Sequence, residues 1–372
     1  MPAGAVSSRS RARRILGQAV RVFDVAATPY GIDRYVELVR PSWSSSEVRA
    51  KVVQVRRTTR RSVTLTLRPN GNWTGFRAGQ HTQLSVEING VRQTRCYSMT
   101  NAATDRNGLI ELSITAHPEG RVSQHLHQSM QKGQTVGLTT AQGAFTLPLG
   151  EPDHLLLVSG GSGITPVMSM LRTRCALGWE KPVTFLHYAL TESDMLYRDE
   201  LSELARSHPG VRVVRVFTDQ PGAGDLDGFL SAHHLDSAAP GWADAEAFVC
   251  GPSSLMDAAR SLFGRIGRGD HLHTEAFTLT QVTAEAGLID GTVRFGASEI
   301  GRPSDGTPLL IQAEAAGLTP LSGCRMGICH TCTRRLCAGV VRDVVTGDLT
   351  AGPDVNILIC NSVPVGDVEI DL

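Results

Sequence analysis

Between Glu47 and about Leu149, apolar and polar residues alternate in short runs. Val63-Thr64-Leu65-Thr66-Leu67, Leu84-Ser85-Val86-Glu87-Ile88 and Leu109-Ile110-Glu111-Leu112-Ser113-Ile114 are the clearest. A period of two sends every second side chain to one face, the pattern of a half-buried strand. Pro69-Asn70-Gly71, Asn89-Gly90 and Asn107-Gly108 supply turns between the runs. Short strands at this spacing predict a small antiparallel β-barrel over residues 47–150. From His154 the pattern changes. Leu155-Leu156-Leu157-Val158 is continuously apolar, and a glycine-rich turn and a helical stretch from Pro166 follow it. Val183-Thr184-Phe185-Leu186-His187-Tyr188, Val211-Arg212-Val213-Val214-Arg215-Val216 and Ala247-Phe248-Val249-Cys250 read as further strands. Strands alternating with helices predict an α/β domain over residues 151–277, with a parallel sheet and a nucleotide site at its carboxyl edge. Residues 278–290 read as a linker. Residues 291–372 form a third unit that closes on Val368-Glu369-Ile370. Residues 1–46 read as a partly helical extension, with apolar positions at Ile15, Val22, Val25, Tyr35, Leu38 and Val39.

Composition narrows the classes. A chain of 372 residues with 41% hydrophobic content can bury two or three ordinary cores. Its formal net charge is zero, so bulk charge gives no reason to expect nucleic acid. No apolar run approaches the ~20 residues of a membrane span, and the N-terminus has no signal-peptide core. Eight cysteines are too few for a disulfide scaffold and suit a reducing compartment, so a cytoplasmic protein is expected. Arg9, Arg11, Arg13 and Arg14 make a basic terminus that reads as a solvated end or as a patch for anionic lipid or an acidic partner.

Four of the cysteines carry the strongest chemical signal. Cys324, Cys329 and Cys332 read C-x4-C-x2-C, and Cys360 follows after 27 residues. This is the plant-type [2Fe–2S] spacing, in which one tight loop gives three thiolates and a remote segment the fourth. Zinc is the other reading for such thiols, but zinc sites favour paired CxxC or Cys/His sets. Gly323 and Gly327 suit a loop that wraps a cluster. Ser322, Arg325 and His330 lie in that loop as candidates for tuning the potential or docking a partner. His330 is not expected as a ligand, since four thiolates are already present. Cys96, Cys175 and Cys337 read as structural.

Three further segments point to nucleotides. In Arg95-Cys96-Tyr97-Ser98, an arginine can pair with phosphate, a tyrosine can cover an aromatic ring and a serine can hydrogen-bond a ring nitrogen. Gly120-Arg121-Val122-Ser123 can open a helix whose free N–H groups face a pyrophosphate. Gly160-Gly161-Ser162-Gly163-Ile164-Thr165-Pro166 lies between a strand and a helix, the setting in which such a turn cradles a dinucleotide. Cys250-Gly251-Pro252 ends a later strand of the same domain. Arg198 and Ser193, beyond the strand ending at Tyr188, could serve a 2′-phosphate, whereas Asp219 would repel one.

In this order the motifs resemble the ferredoxin–NADP reductase superfamily, and more closely the reductase components of oxygenase, hydroxylase and desaturase systems with a C-terminal ferredoxin domain. The resemblance covers residues 47–372. The extension, with Asp33-Arg34-Tyr35-Val36-Glu37-Leu38-Val39, is similar to that of actinobacterial reductases serving fatty-acyl desaturases and alkane hydroxylases. The resemblance implies a β-grasp ferredoxin domain at 291–372. It implies FAD with Arg95 at a phosphate, Tyr97 beside the ring, Ser98 near N5, and Gly120, Val122 and Ser123 at the pyrophosphate. Gly160, Gly161, Gly163, Thr165, Gly251 and Pro252 would hold NADPH or NADH. Cys250 would lie by the nicotinamide, and Glu275 near the flavin. NADP-specific relatives carry Ser-Arg where this chain has Thr218-Asp219, so either nucleotide remains open.

The expected activity is an NAD(P)H:acceptor oxidoreductase. Hydride would pass to FAD, then single electrons through the [2Fe–2S] cluster to a terminal oxygenase, hydroxylase or desaturase, membrane-bound partners included, with the reductase cytoplasmic or peripheral at the membrane through that partner. The protein's part would be positioning and tuning, with no conventional acid–base pair. The linker would let the ferredoxin domain swing towards its acceptor. Reduction of a soluble acceptor without an oxygenase, and redox sensing through the cluster, are the alternative readings.

Overall fold

The computed structural model describes Ser44 and residues 47–277 and 291–372, apart from residues 119, 149, 324, 326, 328, 329, 345 and 346. The expected helical extension, the linker at 278–290 and two of the four candidate cluster ligands, Cys324 and Cys329, therefore lie outside the described residues.

The first unit is an antiparallel sheet of β1 (Val48–Thr59), β2 (Ser62–Pro69), β3 (His81–Ile88), β4 (Val91–Ser98), β5 (Ile110–Thr115) and β6 (Thr135–Leu138), in the order β4-β3-β6-β1-β2-β5. A bridge between Met99 and Leu112 joins the two outer strands and closes the barrel. Alternation decides which side chains face inward: Val63, Leu65 and Leu67 are all fully buried, as are Leu84 and Leu112. The β3–β4 turn is the two-residue Asn89-Gly90, both at positive φ (53° and 75°), which matches the twist of the flanking strands. Helix α1 (Arg121–Gln128) packs Val122 and Leu126 into the barrel core.

The second unit is a five-stranded, wholly parallel sheet. It comprises β7 (Leu155–Gly160), β8 (Val183–Ala189), β9 (Val211–Phe217), β10 (Glu246–Gly251) and β11 (Leu272–Ala276), ordered β11-β10-β7-β8-β9. Every residue of β7 and β8 is buried, as strands covered on both faces must be. Two apolar clusters, one on each face, result. Helices α2 (Ile164–Ala176), α3 (Arg198–Ser207), α4 (Ala232–Ala238) and α5 (Ser253–Arg265) surround the sheet. Helix α2 begins two residues before the expected Pro166, because proline is compatible with a first helical turn. β11 was not among the expected strands. The strand order reverses between β7 and β10, which opens a crevice at their carboxyl ends.

The third unit is a mixed sheet of β12 (Thr292–Phe295), β13 (Ile300–Pro303), β14 (Thr333–Asp343), β15 (Leu349–Ala351), β16 (Val355–Leu358) and β17 (Ser362–Ile370), with helix α6 (Leu309–Ala315). β12 and β17 pair in parallel and the other strands antiparallel. Leu309, Leu310 and Ala313 of α6 are buried with Phe295, Leu336 and Ile370, giving the β-grasp arrangement. No helix among the described residues is long and apolar enough to cross a membrane.

Candidate functional site

Two adjacent strand pairs, one from each of the first two units, build the centre of the site. β3 and β4 place His81 opposite Ser98, and β10 and β11 place Cys250 opposite Glu275. The pairs meet across the seam: His81 Nδ1 lies 3.7 Å from Glu275 Oε1, with the side chains 3% and 9% exposed. Ser98 Oγ, His81 Nε2 and Glu275 Oε2 are buried and have no hydrogen-bond partner among the described residues. An orphaned buried polar atom costs about 1–3 kcal/mol. Three at one spot make a site shaped for polar groups of a ligand, and a flavin ring edge offers such groups. Burial pushes the Glu275 carboxyl upward, and the neighbouring His81 pulls it back in part. Burial, followed by the Glu275 charge, also raises the Cys250 thiol, so Cys250 sits here as a neutral, compact group. His81 and Glu275 thus lie side by side as two buried ionisable side chains. Nothing in the local sequence marks His81. Only the β3–β4 register and the arrival of β11 reveal it.

Arg95 and Tyr97 precede Ser98 on β4. Burial raises the Tyr97 hydroxyl far above its usual range, so the ring stays neutral. Arg95 Nη1 donates to the Thr94 carbonyl (2.8 Å) and to the carbonyl of Gly323 (3.3 Å), the residue before Cys324. The barrel arginine and the cysteine loop are therefore neighbours. At the start of α1, Ser123 Oγ accepts the His117 N–H (3.1 Å) and donates to the Gly120 carbonyl (3.0 Å). The Val122 side chain is buried in the barrel. What this segment offers outward is the backbone N–H groups of a helix start.

The crevice between β7 and β10 is a groove of about 700 Å3. Gly160, Gly161, Gly163, Gly251 and Pro252 line one side, Tyr188, Leu190, Thr218, Phe229 and Leu230 the other, and Phe277 also borders it. The glycines differ in duty. A Cβ on Gly163 would strike the Cys250 carbonyl, so Gly163 lets the turn after β7 lie against the end of β10. Gly161 has φ +53° and open space above it, leaving a backbone cradle at the start of α2. Thr165 Oγ1 donates to the Ser162 carbonyl (3.1 Å) and fastens the turn. No charged side chain is among the described residues lining the groove. Ser193 and Arg198 are not brought to it. They line a separate hollow of about 360 Å3 with Arg56 and Arg57 of the barrel, where Arg198 pairs with Glu192 and Asp199. Asp219 follows β9, with its N–H bonded to the Leu190 carbonyl (2.9 Å).

In the third unit Thr333 pairs with Leu358, and Ile359 N–H donates to the Cys332 carbonyl (3.4 Å). The register brings Cys332 and Cys360 to one end of the β14–β16 pair, with 1% and 2% exposure. Gly327, at φ +74°, aims its N–H at Cys360 Sγ (3.2 Å). A donor pointed at a sulfur favours the thiolate form that iron requires. Arg325 pairs with Glu314 of α6 and ties the loop to the helix.

Comparison with known proteins follows the same three units. Residues 50–147 match the family "Oxidoreductase FAD-binding domain", residues 157–261 "Oxidoreductase NAD-binding domain" and residues 297–365 "2Fe-2S iron-sulfur cluster binding domain". An NADPH oxidoreductase of Mycobacterium tuberculosis is 35% identical over 349 residues, covering 93% of this chain and 90% of that protein. The chain belongs to the ferredoxin–NADP reductase superfamily, in the branch with a C-terminal [2Fe–2S] domain. The reductase is also 32% identical to the glycine betaine monooxygenase reductase subunit of Pseudomonas aeruginosa over 80% of this chain and 87% of that subunit. Phthalate dioxygenase reductase shares its fold, with a TM-score of 0.60 and 23% identity over 87% of this chain and 97% of that structure. FAD-, NAD- and [2Fe–2S]-binding domains are thus all present, and the protein is an oxidoreductase.

Proposed function

We propose that the reductase carries electrons from NADPH or NADH to the terminal oxygenase component of a multi-component system, the role named for its monooxygenase-reductase relatives. A membrane-bound hydroxylase or desaturase falls within this class of acceptor. When bound, FAD accepts a hydride and the [2Fe–2S] cluster takes electrons singly; the cofactors supply that chemistry. The chain's residues do the positioning. Gly161 and the start of α2 hold the nucleotide pyrophosphate, with Gly160, Gly163, Thr165, Gly251 and Pro252 shaping the turn. Arg95 faces a flavin phosphate, Tyr97 flanks the ring, and Gly120, Val122 and Ser123 present the α1 backbone to the flavin pyrophosphate. Ser98 Oγ donates to the ring edge near N5, and Cys250 packs against the nicotinamide. His81 and Glu275, side by side and buried, present their unpartnered Nε2 and Oε2 to polar groups of the bound ligand. Cys324, Cys329, Cys332 and Cys360 hold the cluster, with the Gly327 N–H tuning it. The division into a barrel at 47–150, a nucleotide domain at 151–277 and a cluster domain at 291–372 follows the same assignment.

The observation that carries this reading is the meeting of Ser98 and His81 with Cys250 and Glu275 at the mouth of the crevice. Anaerobic titration with NADH and, separately, NADPH tests it, followed by visible absorbance and electron paramagnetic resonance. Flavin bleaching followed by a reduced [2Fe–2S] signal is expected. Bleaching with a cluster that stays oxidised would remove the second step from the chain, and no bleaching would remove the reading.

A further inference from the structure

Helix α2 starts at the nucleotide cradle, and its flank is stitched to the barrel. Ser169, Arg172 and Thr173 lie at i, i+3 and i+4, on one face of the helix. Ser169 Oγ donates to the Asn101 carbonyl (2.8 Å), Arg172 Nη1 to the Thr100 carbonyl (2.8 Å), and the Ala103 N–H donates to Thr173 Oγ1 (2.9 Å). All three bonds land on residues 100–103, the peptide that follows Ser98 after a single residue. Arg172 does more. Its Nη1 also reaches Glu111 Oε1 of β5 at 2.8 Å. Its Nε and Nη2 grip both oxygens of Glu200 on α3, at 2.6 and 2.7 Å. Its guanidinium lies 4.9 Å from the centre of the Tyr197 ring, and the Tyr197 hydroxyl donates to Ser113 Oγ of the barrel. The Arg172 side chain is only 15% exposed. A planar fork with several fixed donors can hold two carboxylates and a carbonyl in one geometry, which a flexible ammonium cannot.

We propose that Arg172 is a positioning residue for hydride transfer, resting on the function assigned above. With Ser169 and Thr173 beside it, it locks the nucleotide-binding helix to the Thr100 peptide, and as the most heavily bridged of the three it sets the distance between the groove and Ser98. The helix then acts as a strut: nucleotide at its amino end and the peptide after β4 on its flank keep a fixed separation. Rates of such transfers depend steeply on that separation, and a ~1 Å error can cost ~100-fold.

The test uses full-length holoprotein in stopped-flow flavin reduction under anaerobic conditions, with protiated and 4-deuterated nicotinamide nucleotide. Arg172→Met should lower the limiting reduction rate about 10- to 100-fold, leave the apparent nucleotide Kd within about threefold, and change the deuterium isotope effect. Arg172→Lys should restore only part of the rate, because the fork is lost and the charge kept. An unchanged limiting rate and isotope effect with a lowered melting temperature would overturn the proposal and leave Arg172 a purely structural clasp. Loss in Kd with an intact limiting rate would overturn it as well. If Arg172→Met does not fold, the double variant Ser169→Ala/Thr173→Val removes two stitches and keeps the ion pairs. It should slow the limiting rate severalfold, and an unaltered rate there would count against the strut. Failure of the underlying assignment looks different, because the wild-type flavin would then not bleach with either nucleotide.

Discussion

The barrel and the parallel sheet solve the same packing problem in opposite ways. Barrel strands alternate apolar and polar residues, with the apolar set in the core and polar residues such as Thr64 and Ser113 buried and bonded to each other; β7 and β8 are buried on both faces and are mostly apolar, interrupted in β8 by Thr184 and His187. Their charges differ as well. Residues 47–150 contain 13 Lys and Arg against 5 Asp and Glu, whereas residues 151–277 contain 10 against 17. A net charge of zero for the chain therefore conceals a cationic flavin half and an anionic nucleotide half. The lesson is that bulk neutrality says little about partners when domains of opposite sign share a seam. Here the seam is polar and paired, through Arg172 with Glu111 and through Arg61 with Asp194.

The comparison breaks most severely where the turn after β7 lies against the end of β10. Gly163→Val drives a branched side chain into the Cys250 backbone. Nucleotide-dependent flavin reduction should fall by ~100-fold or more while the barrel keeps its FAD; rapid-scan absorbance and the flavin content of the purified variant read both. Next comes a titration confined to the sheet. His187, fully buried against Ser159 Oγ (2.8 Å), is pushed down to about 4 by burial. The unfolded chain binds this proton near pH 6.5, so between about pH 6.5 and 4 the unfolded state holds more protons and stability falls as pH falls. Across the whole window the loss should approach ~3 kcal/mol. Thermal unfolding should show the decline in the wild type and a flatter profile in His187→Asn. On the barrel side, Ser98→Ala removes the hydroxyl proposed to donate to the ring edge and should slow the limiting hydride step about 100-fold without weakening nucleotide binding, as stopped-flow reduction can resolve. Asp219→Ser removes a carboxylate beyond β9 and should raise kcat/KM for NADPH relative to NADH by about tenfold, measured with an artificial one-electron acceptor. The smallest effect belongs to the exposed seam pair. Arg61→Ala breaks a 3.4 Å contact with Asp194 and should cost under ~1 kcal/mol, vanishing at high salt in denaturant titrations.

Much of this architecture is written in local pattern, and the exceptions share a cause. The barrel runs, the apolar strands, the glycine turn and the cysteine spacing are short-range signals, and each appears where its period or motif puts it. β11 escaped because Leu272-His273-Thr274-Glu275-Ala276 has a single large apolar residue and becomes a strand only by lying beside β10. That placement buries Glu275, which by local sequence alone looks like a linker residue. His81 escaped for the same reason, since its meaning comes from a neighbour almost 200 residues away. Ser193 and Arg198 follow β8 closely in sequence, yet Tyr197 turns left-handed (φ 58°) and directs α3 to the barrel rather than the groove. The hollow they line, like the seam, could be read only in three dimensions.

The parallel pairing of β12 with β17 bears on biogenesis. β17 lies at the middle of the cluster unit's sheet, between β12 and β14, yet it is the last of that sheet's strands to be synthesised. On the ribosome, the barrel and the nucleotide sheet can fold as their own strands emerge, but the cluster unit has no centre until β17 is made. Cys324, Cys329 and Cys332 are thus synthesised long before the sheet that buries Cys332 can form. Maturation should therefore run in two stages, with a foldable flavoprotein first and iron–sulfur loading afterwards. Iron limitation during growth would then be expected to yield a soluble, FAD-loaded protein that reacts with nucleotide and carries no cluster.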